Sequence, residues 1–259
     1  MRSARAALKM LGFVVLSLLI VPPQLIVLRF TKNEGAYFIP SIWHKIMCFI
    51  FSIKFEMAGK PNISAQTIFM SNHLSYLDIP LIGSLLKASF VAKSEVAKWP
   101  VFGFLSELQQ TAFIERKRTA ILRSTSSLQG RIQAGKSLII FPEGTSTDGR
   151  SVLPFKSSLF SLALPEQRND LFVQPLTLQL LEVDGRIIQT QDDRDLYTWH
   201  NDMDTSLAAH LWRFAKTSGA KLRLTFHTPL RAADYQDRKV LAKICHDNVS
   251  KGLQEKERD

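Results

Sequence analysis

The chain has 259 residues, 46% of them hydrophobic, and its 33 Lys and Arg against 23 Asp and Glu give a net charge of +10. This length suits one catalytic domain with a short appendage, and the positive charge favours an anionic partner. Because no strand interleaves aromatic with basic residues as nucleic-acid modules do, we expect a lipid surface and no nucleic acid.

The chain begins with an apolar segment. Residues 10–28 carry no charge and have basic residues on both sides. As a helix, this run spans roughly 28 Å, close to the thickness of a bilayer core. Pro22 and Pro23 interrupt the pattern, because proline removes a backbone donor and clashes with the preceding turn. A kinked transmembrane helix and a helix lying in one leaflet both stay open, and we favour the shallow placement.

A second helix is predicted at residues 40–51. Ile42, Ile46 and Ile50 share one of its faces. A helix at the membrane border and an ordinary helix of the core explain this pattern equally well.

A strand at residues 53–57 marks the start of the soluble domain, because apolar and charged side chains alternate along it. We therefore divide the chain into a membrane-associated helical segment, residues 1–51, and a catalytic domain, residues 52–259. Cys48 and Cys245 each lie in an apolar helical pattern, which indicates buried free thiols in a reducing compartment. We expect the inner membrane as the location, with the catalytic domain facing the cytoplasm.

The next predicted strand, residues 66–70, leads to a candidate catalytic pair. Ser75 suits a helix cap, and the carboxylate of Asp78 is then placed to reach back to the cap amide. His73 falls in the loop before that helix, and this break lets its imidazole meet the carboxylate, as a general base requires. The His-x4-Asp spacing alone is close to chance, so a capping Asp beside a surface His stays open. A Ser75 nucleophile is the rival chemistry, although no nucleophile elbow is present.

A basic run at residues 113–118 precedes a helical pattern. Cations at a helix start are unfavourable unless an external phosphate lies among them. Arg116 and Lys117 are therefore candidate phosphate ligands, with a solvated basic run on anionic lipid as the alternative.

A third predicted strand, residues 137–141, ends in the turn Pro142, Glu143 and Gly144. Such a turn leaves bare backbone at the sheet edge, where open sheets bind ligands. A further strand is predicted at residues 173–178.

Four segments together resemble the blocks of glycerolipid acyltransferases, over roughly residues 50–180. They are Asn-His-Leu-Ser-Tyr-Leu-Asp at 72–78, Phe-Ile-Glu-Arg at 113–116, Phe-Pro-Glu-Gly-Thr at 141–145 and Val-Gln-Pro-Leu-Thr-Leu at 173–178. The resemblance is strongest to bacterial 1-acylglycerol-3-phosphate acyltransferases. It implies an α/β fold, a mixed sheet flanked by helices, with an apolar groove for the acyl chain.

The resemblance also implies roles for single residues. His73 deprotonates the acceptor hydroxyl, Asp78 orients it, and the hydroxyl attacks the thioester without an acyl-enzyme. The expected substrate-binding residues are Arg116, Lys117, Glu143, Gly144, Thr145 and Lys156. No metal and no bound cofactor are expected, and acyl-CoA or acyl-carrier protein serves as co-substrate.

Ser146 departs from the family pattern, because many members carry Arg at this position. Either other cations (Arg116, Lys117, Lys93 or Lys156) hold the phosphate, or the head group is not a phosphate. Residues 145–149 also resemble lyso-ornithine-lipid acyltransferases and some phosphatidate-forming relatives.

The leading expectation is therefore acyl transfer from a thioester to lysophosphatidic acid, giving phosphatidic acid at a phospholipid membrane. The first alternative is the same chemistry on lyso-ornithine lipid or another lysolipid. An alternative from a different functional class is a basic, non-enzymatic protein that binds the membrane surface.

Overall fold

The computed structural model describes residues 1–31, 34–114, 127–164 and 170–254. The helices are α1 (Arg2–Phe30), α2 (Phe38–Phe51), α3 (Asp78–Gly83), α4 (Phe102–Leu108), α5 (127–133), α6 (Gln191–Arg194), α7 (Leu207–Ala215) and α8 (Arg238–Gln254). The strands are β1 (Ile53–Ala58), β2 (Thr67–Ser71), β3 (Ser89–Lys93), β4 (Ala112–Ile114), β5 (Leu138–Ile140), β6 (Phe172–Val183), β7 (Arg186–Ile187), β8 (Ala220–Phe226) and β9 (Leu230–Arg231).

The strands form one mixed sheet in the order β1-β8-β6-β2-β5-β3-β4. The neighbours from β6 to β4 pair in parallel, β6 and β8 pair antiparallel, and β8 and β1 pair in parallel. Every residue of β2 and β5 is buried, as expected for central parallel strands covered on both faces. The predicted α/β fold, a mixed sheet flanked by helices, is confirmed.

The parallel pairing of β2 with β5 positions the site. Ile68 lies beside Leu138, and Met70 lies beside Ile140. Because parallel strands end at the same edge of the sheet, the loop after β2 and the loop after β5 are neighbours. Two of the four predicted blocks therefore meet in space although they are about 70 positions apart in sequence.

Helix α1 does not break at its two prolines. It runs without interruption through Pro22 and Pro23 to Phe30. The fixed backbone angle of proline is itself helical, so the cost is confined to two missing donors and local crowding. Immediately after the pair, the buried Gln24 side chain fixes the helix by donating to the carbonyl oxygen of Leu108 (2.8 Å). Packing thus overrides the predicted interruption.

One face of α1 packs against the sheet domain, and the other is exposed. Lys9 Nζ donates to the carbonyl oxygens of Phe51 (3.2 Å) and Thr217 (3.1 Å), at the ends of α2 and α7. Cations are favourable at such carboxyl ends. The exposed face is apolar and includes Leu8, Leu11, Leu18, Leu19 and Ile26. By length and composition α1 is able to cross a membrane.

Helix α2 belongs to the same hydrophobic core as α1 and the sheet. Its buried face consists of His44, Met47, Cys48 and Phe51, whereas the predicted face of isoleucines is only partly buried. Cys48 and Cys245 are both free and buried. The boundary between residues 1–51 and 52–259 stays a prediction.

Candidate active site

His73 and Asp78 meet at the end of β2, as the sequence predicted. The Nδ1 atom of His73 lies 2.8 Å from Oδ2 of Asp78. The Asp78 side chain is fully buried, and the His73 side chain keeps 20% of its surface exposed. Because a carboxylate accepts, this contact places the imidazole proton on Nδ1 and leaves Nε2 free to take a proton.

Backbone amides fix the Asp78 carboxylate. Its Oδ2 atom also accepts from the amides of Leu74 (2.7 Å) and Ser75 (2.9 Å). The predicted contact with the Ser75 amide is therefore present. The prediction that Ser75 caps the helix is wrong, because α3 begins at Asp78 with Leu77 as its N-cap. Ser75 instead starts a tight turn, in which its carbonyl oxygen accepts from the Asp78 amide (3.0 Å).

A buried tyrosine from a distant loop completes the surroundings of the carboxylate. The hydroxyl of Tyr197 donates to Asp78 Oδ1 (3.1 Å) across 119 positions of sequence. Sequence reasoning missed this residue, because it lies outside the four blocks.

An aromatic ring fixes the plane of the imidazole. Phe141, the residue after β5, stacks on His73 with ring centroids 4.0 Å apart and planes at 17°. Phe90 stacks on the same phenylalanine at 6.3 Å. The block that begins with Phe141 therefore supports the block that contains His73.

Glu143 connects the same two blocks through hydrogen bonds. Its Oε1 accepts from the His73 amide (2.8 Å), and its Oε2 accepts from the Leu153 amide (2.7 Å). Burial raises the pKa of Glu143 to about 7, and the nearby Asp78 charge adds to this. Both oxygens face protein amides, so the predicted contact of Glu143 with a substrate head group stays a prediction without support from this geometry.

His73 opens onto a cavity of about 580 Å³. Of the predicted substrate-binding residues, Gly144, Thr145 and Lys156 line it, together with Lys93. Gly144 has a φ of +72°, and a Cβ atom there would lie 2.2 Å from Lys156 Nζ. A Cβ atom here would be strained by the positive φ and would displace the Lys156 ammonium from this turn. Arg116 and Lys117 lie outside the described residues.

The Ser146 side chain is tied to a neighbouring loop. Its hydroxyl donates to the carbonyl oxygen of Trp199 (2.5 Å). The side chain of Asn201 donates to Thr145 Oγ1 (3.3 Å). The cavity wall next to Gly144 is thus made of small polar groups that contact residues 199–201.

A second, mainly apolar cavity of about 150 Å³ lies between α1, α2, α3 and α4. It adjoins the first, because Tyr76, Ile79, Val96 and Trp99 line both. An apolar path therefore leads from His73 toward the amino-terminal helices, in keeping with the acyl groove that the resemblance implies.

Comparison with known proteins identifies the family. The profile of the family described as "Acyltransferase" matches residues 54–179. The lyso-ornithine lipid O-acyltransferase of Brucella abortus is 33% identical over 255 residues, which cover 96% of this chain and 94% of that protein. The chain belongs to the acyltransferase family. This acyltransferase is also 30% identical to the 1-acyl-sn-glycerol-3-phosphate acyltransferase of Neisseria meningitidis, over 69% of this chain and 66% of that protein.

A solved structure shares the fold of this acyltransferase. The 1-acyl-sn-glycerophosphate (LPA) acyltransferase PlsC from Thermotoga maritima superposes with a TM-score of 0.68 at 20% identity, covering 98% of this chain and 97% of that chain. The predicted family and enzyme class are confirmed: the chain is an acyltransferase of the lysolipid acyltransferase family.

Proposed function

We propose that this acyltransferase moves an acyl group from acyl-CoA or acyl-carrier protein to the hydroxyl of lyso-ornithine lipid. The choice of this acceptor rests on Ser146. Where many family members carry Arg, this side chain is neutral and its hydroxyl is engaged by Trp199. A head group without phosphate does not need a cation at that position.

His73 acts as the general base in the proposed reaction. Its Nε2 takes the proton from the acceptor hydroxyl while the oxygen attacks the thioester carbonyl, and the Asp78 carboxylate stabilises the imidazolium that forms. The carbon–sulfur bond then breaks, and the imidazolium returns the proton to the leaving thiolate. The rival Ser75 nucleophile has no support, because Ser75 is fully buried and its Oγ accepts from the Leu77 amide (3.3 Å).

Glu143 acts in this proposal as a positioning residue. Its hydrogen bond to the His73 amide connects the loop after β5 to the base, and its second bond, to the Leu153 amide, fixes the carboxylate in place. A buried carboxylate with both oxygens paired is well suited to holding two loops in register.

The charges around the cavity suit a zwitterionic head group. Lys156 offers one ammonium for the ornithine carboxylate, close to Gly144. Beyond the same loops, a polar surface cavity is lined by the carboxylates Asp202 and Asp204 and by the guanidinium groups of Arg150 and Arg213, so it presents both charges to a zwitterionic head group. The greater coverage of the Brucella abortus relative supports the same acceptor.

Lysophosphatidic acid, the leading expectation from the sequence, is the second candidate. Lys93 and Lys156 both line the cavity, and a phosphate pairs well with two cations. The Neisseria meningitidis relative also favours it.

The test of the acceptor is product identification by mass spectrometry. Purified acyltransferase in detergent is given palmitoyl-CoA or palmitoyl-carrier protein with lyso-ornithine lipid, lysophosphatidic acid or lysophosphatidylethanolamine. We expect the highest kcat/KM with lyso-ornithine lipid. A higher value with lysophosphatidic acid, together with restored growth of a strain that lacks its phosphatidate-forming acyltransferase, would establish the second candidate instead.

We propose in addition that α1 lies in the cytoplasmic leaflet of the inner membrane and does not cross it. Arg2 pairs with Asp184 (3.2 Å), Lys9 contacts Thr217, and Gln24 contacts Leu108. These contacts extend over roughly 33 Å of helix, so a spanning α1 would pull the sheet domain through the bilayer.

Single cysteines introduced at Ser3 and Thr31 test this placement, because both native cysteines are buried. An in-plane helix leaves both positions reactive to a membrane-impermeant thiol reagent from the cytoplasmic side only. A spanning helix gives one reactive position on each side.

A further inference from the structure

The His73–Asp78 pair has a third partner outside every family block. Tyr197 follows α6, is fully buried and packs edge-on against Phe214 with ring centroids 5.8 Å apart. Its hydroxyl points at Asp78 Oδ1, at 3.1 Å.

The two oxygens of Asp78 serve different partners. Oδ2 accepts from His73 Nδ1 and from the amides of Leu74 and Ser75, whereas Oδ1 accepts from the Tyr197 hydroxyl. A carboxylate with donors on both oxygens cannot rotate without breaking a buried hydrogen bond. The Tyr197 contact therefore holds Oδ2 in the plane that faces the imidazole.

The loop that carries Tyr197 is itself tied to the loop of His73. The Tyr197 amide donates to the Arg194 carbonyl oxygen (2.8 Å), and the Trp199 amide donates to that of Leu74 (3.0 Å). The phenol is thus fixed on both sides relative to the carboxylate. Burial and the Asp78 charge raise the pKa of Tyr197 well above its ordinary value, so the hydroxyl stays a donor throughout the working pH range.

We propose that Tyr197 is a positioning residue of acyl transfer, which orients Asp78 and lowers its affinity for the shared proton by donating to Oδ1. This inference rests on the proposed function of His73 and Asp78. A donor on the far oxygen spreads the carboxylate charge, so Asp78 orients the imidazolium through Nδ1 without stabilising it so strongly that the proton on Nε2 is withheld from the leaving thiolate.

The variant Tyr197→Phe tests the proposal, because it removes one oxygen and keeps the ring. Without the donor, Asp78 attracts the proton on His73 more strongly, and the base is neutral only at higher pH. With lyso-ornithine lipid and palmitoyl-CoA, we expect kcat/KM to fall about tenfold with an unchanged KM. The acidic limb of the pH profile of kcat/KM moves to higher pH by roughly 0.5–1.

Tyr37→Phe is the matched control. This tyrosine is also buried and hydrogen-bonded, to Ser89 at 2.6 Å, but it lines neither cavity. We expect it to leave kcat/KM within about twofold of the wild type and the acidic limb in place.

Other titratable groups near the pair contribute equally to the pH profiles of the wild type and the variants. They are Cys48 and Tyr76, whose pKa values burial raises, and Glu143, whose pKa is raised to about 7; Lys156 lines the same cavity as His73. All of them are the same in the wild type and in both tyrosine variants. The informative quantity is therefore the difference between profiles.

A fluorinated tyrosine at position 197 gives a second measurement if Tyr197→Phe does not fold. Fluorine makes the phenol a stronger donor, so the acidic limb moves to lower pH. An unmoved limb in both variants, or a loss of activity and melting temperature that Tyr37→Phe reproduces, would overturn the proposal.

His73→Ala in the same assay separates the role of Tyr197 from that of His73. Full activity in His73→Ala contradicts the proposed base. An inactive His73→Ala beside an unchanged Tyr197→Phe contradicts only the role of Tyr197.

Discussion

The two sides of the cavity are built differently. On the His73 side, Asp78 is fully buried and accepts four hydrogen bonds, and Glu143 holds the base by its backbone amide. On the other side, Thr145 and Ser146 are half-buried and Lys156 is exposed. Buried hydrogen bonds therefore hold the side chains of the His73 side in one arrangement, whereas the more exposed side chains of the other side can move. We infer that the first determines the rate for every acceptor and the second determines which acceptor is used.

The largest effect is expected from Asp78→Asn. The neutral amide removes the counter-charge of the imidazolium, and its NH2 group faces either the Tyr197 hydroxyl or the His73, Leu74 and Ser75 donors that share the other oxygen. We expect kcat to fall by roughly 10²–10⁴ for every lysolipid in the panel. Product formation is measured by mass spectrometry, with the melting temperature as a check on folding. A loss confined to one acceptor would contradict the inference that the His73 side determines the rate for every acceptor.

Glu143→Gln has the next largest effect. A glutamine offers one acceptor where two backbone amides need one each, so the His73 or the Leu153 amide is left unpaired. We expect kcat to fall about tenfold with an unchanged KM for the acceptor, because a buried unpaired amide costs about 1–3 kcal/mol. A raised KM with an unchanged kcat would instead indicate a head-group contact.

The pH dependence of stability provides a control for the same variant. Burial raises the pKa of Glu143 from 4.5 to about 7, so the folded state favours the neutral acid. Through this group, the free energy of unfolding falls as pH rises from about 4.5 to about 7 and is constant above that range. Glu143→Gln removes this part of the slope in denaturant titrations.

Ser146→Arg acts on the other side of the cavity. The new guanidinium favours a phosphate, so we expect kcat/KM for lysophosphatidic acid to rise by up to roughly fivefold relative to that for lyso-ornithine lipid, the upper end for an exposed ion pair. Ser146→Thr is the matched control, because it keeps the hydroxyl that donates to Trp199. An equal loss for both acceptors would show that position 146 does not select the head group.

The smallest effect on activity is expected from Gln24→Leu, because Gln24 lines the second cavity but not the one beside His73. It removes the bonds to the carbonyl oxygens of Ala36 and Leu108, which lowers the free energy of unfolding by about 1–3 kcal/mol. Thermal unfolding measures that loss, and kcat stays unchanged. A large fall in kcat at full stability would mean that α1 takes part in the reaction.

The strands were predictable where their signal is local. Residues 68–70 and 138–140, which form the centres of β2 and β5, are all apolar and buried, and the loop after β2 brings His73 to Asp78 within a few residues. The position of the Pro142, Glu143 and Gly144 turn at the sheet edge was also predictable, because open sheets bind ligands where their strands end.

Features that depend on distant partners were not predictable. Tyr197 reaches Asp78 across 119 positions, from a loop with no periodic pattern. The partners of Glu143 are backbone amides, which have no signature in the sequence. Helix α1 continues past Pro22 and Pro23 because its side chains contact α2, α4 and α7, and packing of this kind overrides local propensity.

The central claim is that His73 is the base of a direct acyl transfer to a lysolipid hydroxyl. His73→Ala tests it most directly, in purified protein with palmitoyl-CoA and the acceptor panel. We predict that acylated product falls by at least roughly 10² for every acceptor, with an unchanged melting temperature and no acyl group attached to the protein. Wild-type rates in this variant, or a covalent acyl-enzyme in the wild type, would contradict the account.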